Sequence, residues 1–381
     1  MCASANGKIR VGIVGTGFTI GIALSHFRGY EKCEDADVVA AYDCIPGRAA
    51  LFLEKHSIEG VKACETLEEL FDMVDAVSLC VPNVEHPGLA IKALEAGKHV
   101  LLEKPFAVSC AEGQKALDAA NAHPDLVSMT CMNYRDGAPI QYMKHIIDSG
   151  KLGPIRFVRQ SGGGGRIADP EKVFLEWRMQ EKTSGTGSLA DFGIHMLDLV
   201  HYLLHDQCGD YVSYSAQTAT HIQERYLIDP ASVSGDKAGA EKAPVTNDDT
   251  ASFSAISESG AMFVYNTSRV NFAGADFEIV GENGAICNSS KYPPGTLGMM
   301  IKGETLTGYD KPSFFMQPVT IPEEYTKTYT SGLSHDGITR EFIHCIKTGT
   351  KSDRDFAHGM YLQTVIDTFS TAAKEGRIIK V

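Results

Sequence analysis

Along the first third of the chain, apolar runs alternate with stretches whose apolar residues recur at helical spacing. The runs are Ile9–Val14, Asp37–Tyr42, Asp75–Val81 and Val100–Leu102. Short runs of this kind predict strands buried on both faces. Between them, Ile20, Ala23, Leu24 and Phe27 mark one helix, and Leu67–Phe71 lies in a short one. Ala90, Ala93 and Leu94 mark another, closed by Gly97 as C-cap. Strands alternating with helices predict a parallel sheet with right-handed crossovers. Beyond Arg135 the pattern changes. A helix is expected over 140–149 and a strand over 155–160. From Ser213 onward the text is β: VSYSAQTATHI, TASFSAIS, AMFVYNTSRV and FEIVG, with turns at Ser259-Gly260 and Glu282-Asn283-Gly284. Residues 229–247 are expected as a loop insertion and 291–327 as irregular. Helices over 338–347 and 356–373 close the chain.

A parallel sheet of this kind places Gly15, Asp43, Pro82-Asn83 and Glu103-Lys104 along one edge, where ligands bind. Gly15-Thr16-Gly17-Phe18-Thr19-Ile20-Gly21 joins a strand to a helix N-terminus. Gly15 allows the tight turn, and Gly17 lets the backbone approach a pyrophosphate that the helix N–H groups face. The spacing is one residue longer than the dinucleotide fingerprint. Asp43 follows Gly21 by 22 residues, near the ~20 expected of an acid that binds the adenosine ribose. A carboxylate there repels a 2′-phosphate and favours NAD over NADP, although Arg48 is a feature NADP would use. The plain alternative is a turn residue before Pro46-Gly47. Pro105 has no N–H for a sheet ladder, so Glu103 and Lys104 are presented at a strand end. There they are either site residues or a surface ion pair. His86 is either a site residue or a solvated helix start.

Ser188 to His201 predicts a helix. On it, Asp191, His195 and Asp198 take i, i+4, i+7 spacing and share one face. A histidine between carboxylates suits proton transfer, because its unperturbed pKa is ~6.5. Ser188-x-x-Asp191 equally fits a capping box, and His195 with Asp198 fits a buried structural pair. H-x-x-D is thin support for a metal, and none is expected. Trp177-Arg178, beside the glycine loop 162–165, is divided between core and ligand wall. Asp248-Asp249 is expected as a solvated strand start rather than a functional acid pair.

Charge and composition narrow the classes. A net charge of −13 and a pI near 5.5 argue against a nucleic-acid phosphate binder. The ten cysteines are scattered without a C-x-x-C pair, which fits a reducing compartment rather than a zinc or dithiol motif. No signal-peptide core precedes the first strand, and no run approaches the ~20 apolar residues of a membrane span. A soluble cytoplasmic protein without a membrane partner is expected.

In chain order, GTGFTIG, the Asp43 strand end, VPNVEHPGLAIKALEAGKHVLLEKP, NYR, the Trp177-Arg178 pair and GTGSLADFGIHMLD closely resemble the Gfo/Idh/MocA family of NAD(P)-dependent oxidoreductases. The resemblance covers nearly the whole chain. It implies an α/β protein with a Rossmann dinucleotide-binding domain over 1–133. Over 134–381 it implies an α+β domain with a large, open, mostly antiparallel sheet, through which copies form a homodimer or homotetramer. It implies catalysis by Lys104, Asp191 and His195. NAD would be held by Gly15, Thr16, Gly17, Phe18, Thr19, Asp43, Pro82, Asn83, His86, Glu103, Lys104, Asn133, Trp177 and Arg178. A carbohydrate or polyol substrate would meet Lys104, Tyr134, Arg135, Asp191 and His195. The implied reaction moves a hydride between nicotinamide and a secondary hydroxyl of a sugar, glycoside or cyclitol, some relatives acting at C3 of a glucose-type ring. His195 would be the base, Lys104 would steady the oxygen, and Asp191 would orient His195 or bind an adjacent hydroxyl. GTG at 185–187 departs from the commoner GGG, and 204–247 is a long insertion. The alternatives are a same-fold NAD-recycling glycosidase or lyase, and a non-catalytic sugar or NAD sensor.

Overall fold

The computed structural model describes residues 7–18, 21–229, 231–234, 238–270, 274–329 and 334–381. Thr19, expected at the cofactor, lies outside the described residues. Six strands form the first sheet: β1 (Ile9–Val14), β2 (Ala36–Tyr42), β3 (Lys62–Ala63), β4 (Ala76–Leu79), β5 (His99–Leu102) and β6 (Ser128–Thr130). Their order is β3-β2-β1-β4-β5-β6, and every pairing is parallel. The strand order reverses between β1 and β4, which leaves a crevice at their C-terminal ends. Val11, Val77, Leu79, Val100, Leu101 and Leu102 are fully buried, as unbroken apolar runs require when helices cover both faces.

The second sheet has nine strands. From one edge they run Gln317–Thr320, Thr296–Ile301, Gly284–Ser289, Asp276–Gly281, Ile155–Gly163, Met262–Ser268, Thr250–Ser257, Tyr211–Ala219 and Ile379–Lys380. Only Ile155–Gly163 and Met262–Ser268 pair in parallel; the other pairings are antiparallel. The helices Gly193–Cys208 and Phe356–Glu375 add their apolar residues to this sheet's core. Phe253 is central there, with ring centroids 4.8 Å from Tyr265 and 4.9 Å from Phe369. Among the described residues no helix is long and apolar enough to cross a membrane.

Three expectations change. Within 229–247, Ala238–Pro244 pairs with Glu224–Ile228 as a hairpin. Within 291–327 lie the strands Thr296–Ile301 and Gln317–Thr320 and the helix Glu323–Thr328. Alanine, lysine, glycine and proline lower the local strand signal in these stretches, and cross-strand neighbours override it. Finally, the helix Asp336–Thr348 returns to the first sheet. Its Ile338, Phe342 and Ile343 pack with Val11, Tyr30 and Leu101, so the first core draws on residues far beyond 133.

The stretch carrying Asp191 and His195 is two helices rather than one. Ser188–Asp191 breaks at Phe192, and Gly193–Cys208 follows. Ser188 Oγ is buried without a hydrogen-bond partner, so the capping box does not form. The cap comes from Asp248, whose carboxylate accepts the Gly187 and Leu189 N–H groups at 2.6 and 2.9 Å. The approach is so close that a Cβ on Gly187 would lie 1.9 Å from the Asp248 carbonyl oxygen. Asp249 accepts from the backbone of His221 and Ile222. The acid pair expected in solvent is therefore buried, each carboxylate exchanging water for two backbone donors.

Asp248→Ala leaves two buried N–H groups unmet, at about 1–3 kcal/mol each. Its stability in denaturant titration is expected to fall by ~2–4 kcal/mol, with Asp248→Asn falling less. An alanine variant as stable as the parent would refute the cap.

Candidate active site

The turn after β1 is a cradle built from backbone. Gly15 has φ +91°, and a Cβ on it would lie 2.5 Å from the Cys80 carbonyl oxygen; only glycine fits. A Cβ on Gly17 would meet nothing within 4 Å, so that side is open. Asp43 fastens the turn to the end of β2. Its carboxylate accepts Thr16 N–H at 2.8 Å and Ile45 N–H at 2.9 Å, and the Thr16 hydroxyl lies 3.2 Å away. The Arg48 guanidinium stands 3.7 Å from it. Asp43 is thus a turn residue at the C-terminal end of β2. Phe18 packs its ring against Phe52 and His56, with the Lys55 ammonium 4.4 Å above. A turn closed at Gly15, open at Gly17 and leading into the helix Ile22–Glu31 fits a dinucleotide pyrophosphate.

Beside this turn, reached through Ile22 and Ser25, is a cavity of about 390 Å³. Asn83, Glu103, Lys104, Asn133, Tyr134, Trp177, Arg178, Asp191 and His195 line it. Pro82 lies between two lining residues. His86 and Arg135, expected at the cofactor and the substrate, do not line it. His86 is fully buried, with Nδ1 2.8 Å from the Pro105 carbonyl and Nε2 3.0 Å from the Val81 carbonyl. Burial keeps the ring neutral, so it donates to one of these carbonyls and packs against the other. Arg135 is 1% exposed. Its Nε donates to Asp198 at 2.9 Å and its Nη1 to Asp353 at 2.9 Å, while His358 Nε2 also meets Asp198 at 2.8 Å. Arg135 and Asp198 are an interior ion pair, so Asp198 reaches His195 through its charge and not through a hydrogen bond.

The reactive groups meet where the two sheets' segments converge. Lys104 Nζ donates to Asp191 Oδ1 at 2.8 Å and to its carbonyl at 3.0 Å; the bond to Pro105 is cis. Burial alone would lower the Lys104 pKa, but the Asp191 and Glu103 carboxylates hold it above the ordinary lysine value. Burial would raise Asp191, but Lys104 and then Arg178 hold it well below the usual carboxylate range. The His195 ring stacks flat on Tyr134, centroids 3.8 Å apart and 6° from parallel. Burial, then the Lys104 charge, push its pKa down to about 3. Asp191 pairs with Lys104, and Tyr134 is the residue that stacks on His195. Trp177 carries the Arg178 guanidinium over its ring at 4.1 Å.

Sequence reasoning missed the surroundings of Glu103. Its Oε1 meets His26 Nε2 at 2.8 Å and His335 Nε2 at 3.3 Å, and its Oε2 accepts Lys104 N–H at 3.2 Å. His26 Nδ1 lies 3.1 Å from Ser78 Oγ, which lies 2.8 Å from Tyr30 Oη. No spacing rule could join His335 to an acid 232 residues away. Arg166 and Arg269 also line the cavity, Arg166 forking onto Glu176 at 2.7 and 2.8 Å.

Residues 9–131 match the model of an oxidoreductase family with an NAD-binding Rossmann fold, Gfo/Idh/MocA. Residues 140–287 match that family's C-terminal domain. Levoglucosan dehydrogenase of Pseudarthrobacter phenanthrenivorans is 33% identical over 220 residues, 56% of this chain and 55% of that protein. Glucose-6-phosphate 3-dehydrogenase of Bacillus subtilis is 31% identical over 209 residues, 55% and 56% of the two chains. The chain thus matches little more than half the length of these curated relatives. A structure of levoglucosan dehydrogenase with NADH and L-sorbose shares the fold, with TM-score 0.83 at 23% identity over 98% of this chain and 99% of that one.

Burial lowers the pKa of His26, His86 and His195 in the folded chain. Unfolded, each titrates near ~6.5, so below that pH the unfolded state binds more protons and stability falls. The depressed carboxylates Glu103 and Asp191 extend the loss below about pH 4.5. The urea midpoint is expected to be lower at about pH 5.5 than at about pH 7.5; an equal or higher one contradicts this electrostatic description.

Proposed function

The chain belongs to the Gfo/Idh/MocA oxidoreductase family, whose NAD-binding Rossmann fold it carries, and from that premise we propose that it is a dehydrogenase of a secondary hydroxyl on a sugar, glycoside or cyclitol. The observation that supports this most is the meeting of a charged lysine, its aspartate and a neutral, stacked histidine in one cavity.

NAD, when bound, supplies the hydride acceptor, and the side chains supply the rest. His195 is neutral at working pH and accepts the hydroxyl proton on its free ring nitrogen. Tyr134 keeps the ring in one plane. Lys104 stays protonated, so it donates to the same oxygen and stabilises the negative charge that develops there. Asp191 holds the ammonium charged and aimed. The Asp43 carboxylate disfavours a 2′-phosphate, so NAD is preferred over NADP. Asn83, Glu103, Asn133, Trp177 and Arg178 hold the cofactor within the cavity wall. Copies associate through the nine-stranded sheet, which leaves Met262 46% exposed on a central strand.

His195→Ala is expected to lower turnover by ~10²–10⁴-fold while NADH binding, followed by fluorescence, stays unchanged. Near-parental turnover would remove His195 from the chemistry. Polyols and glycosides offered with NAD or NADP are to be followed at the reduced-nicotinamide absorbance band. Growth of that band with NAD supports the dehydrogenase. Product formed with no net NADH would overturn it in favour of a recycling lyase or glycosidase.

A further inference from the structure

At the end of β5, consecutive residues serve opposite sides. Lys104 turns to Asp191, while Glu103 turns to His26 and His335. This second group is buried, and it brings ligating atoms of His26, Glu103, Cys131 and His335 within 4.8 Å of one another. Hydrogen bonds account for its geometry without an ion. His26 and His335 act on Glu103, which they help hold well below the ordinary glutamate range against its burial. An ionised carboxylate accepts only, so each imidazole must present N–H from Nε2. His26 then receives a proton on Nδ1 from Ser78, and Ser78 one from Tyr30. Every member of this chain is satisfied.

His335 follows the same rule with a different ending. A neutral ring that donates from Nε2 has a bare lone pair on Nδ1. That atom is buried and has no hydrogen-bond partner, yet His335 lines the cavity with Ser25, Asn83 and Glu103. A buried acceptor without a donor is costly, and in a residue that lines a cavity it points to a contact that a ligand completes. On the Glu103 side of β5, next to the dinucleotide turn, the N–H donor that a nicotinamide ring offers is its carboxamide.

We propose that His335 Nδ1 accepts a hydrogen bond from the nicotinamide carboxamide N–H, in the tautomer that ionised Glu103 imposes. His335 is then a cofactor-reading residue supplied by the far end of the chain. The proposal rests on the dinucleotide assignment above.

The test needs no substrate. NAD is compared with its 3-acetylpyridine analogue, which keeps the carbonyl but has no N–H, by calorimetric titration of the full chain. The parent protein is expected to bind NAD about 3- to 10-fold more tightly, the range of one neutral hydrogen bond. His335→Gln keeps a donor where Nε2 stood and no acceptor where Nδ1 stood, so its preference should vanish. His335→Asn places an acceptor at the Nδ1 position, so its preference should persist. Thermal midpoints near the parent's confirm that both variants fold. An unchanged preference in a folded Gln variant overturns the His335 contact while leaving the dehydrogenase intact. No binding of NAD to the parent would overturn both.

Discussion

The ion pair between Lys104 and Asp191, 2.8 Å long, ties the two halves of this molecule into one site. Lys104 lies two residues beyond the end of a strand of the parallel sheet. Asp191 ends a one-turn helix of the segment that packs on the mixed sheet. The pair is half-buried, its side chains 16% and 28% exposed, so removing either partner leaves the other charge uncompensated at less than the ~3–5 kcal/mol of a fully buried pair. The same contact has electrostatic consequences on both sides. It keeps the ammonium charged, and that charge helps keep His195 neutral. The pair therefore contributes to both protonation states, although burial is the larger influence on His195.

Such a pair is only as good as its mounting. On the Asp191 side, Asp248 holds the Gly187 and Leu189 N–H groups, and Gly187 leaves no room for a side chain. Beneath the following helix, Arg135, Asp198 and His358 form a second, buried knot. On the Lys104 side, the buried His86 ring sits between the carbonyls of Val81 and Pro105 and donates to one of them. Each support is a charged or polar group that never touches the cavity. Together they hold Lys104, Asp191, Tyr134 and His195 to a single arrangement.

Much of this was legible in the sequence. Short apolar runs, the glycine turn and the acids and bases at strand ends located the parallel sheet and its ligand edge, because those signals are local. Lys104, Asp191 and His195, singled out by type and order, come together in one cavity. What failed was reach. Asp198 sat at the right helical spacing but faced Arg135. His86 and Arg135 carried chemistry-bearing side chains, and burial turned them to structural work. Asp248 looked like a solvated strand start, since nothing near it in the chain shows the two N–H groups it satisfies. His26 and His335 were invisible for the same reason. The strand Thr296–Ile301 was lost because its identity lies in its neighbours' registers rather than in its own residues.

The returning helix Asp336–Thr348 has a bearing on how the chain is made. Ile338, Phe342 and Ile343 cover Val11, Tyr30 and Leu101, and His335 completes the wall beside Glu103. A ribosome emits the six strands of the parallel sheet long before it emits that helix. Through most of synthesis the nascent first sheet carries an uncovered apolar patch, the kind of surface that recruits chaperones and aggregates when left bare. The nucleotide half is therefore translated well before the helix that completes it.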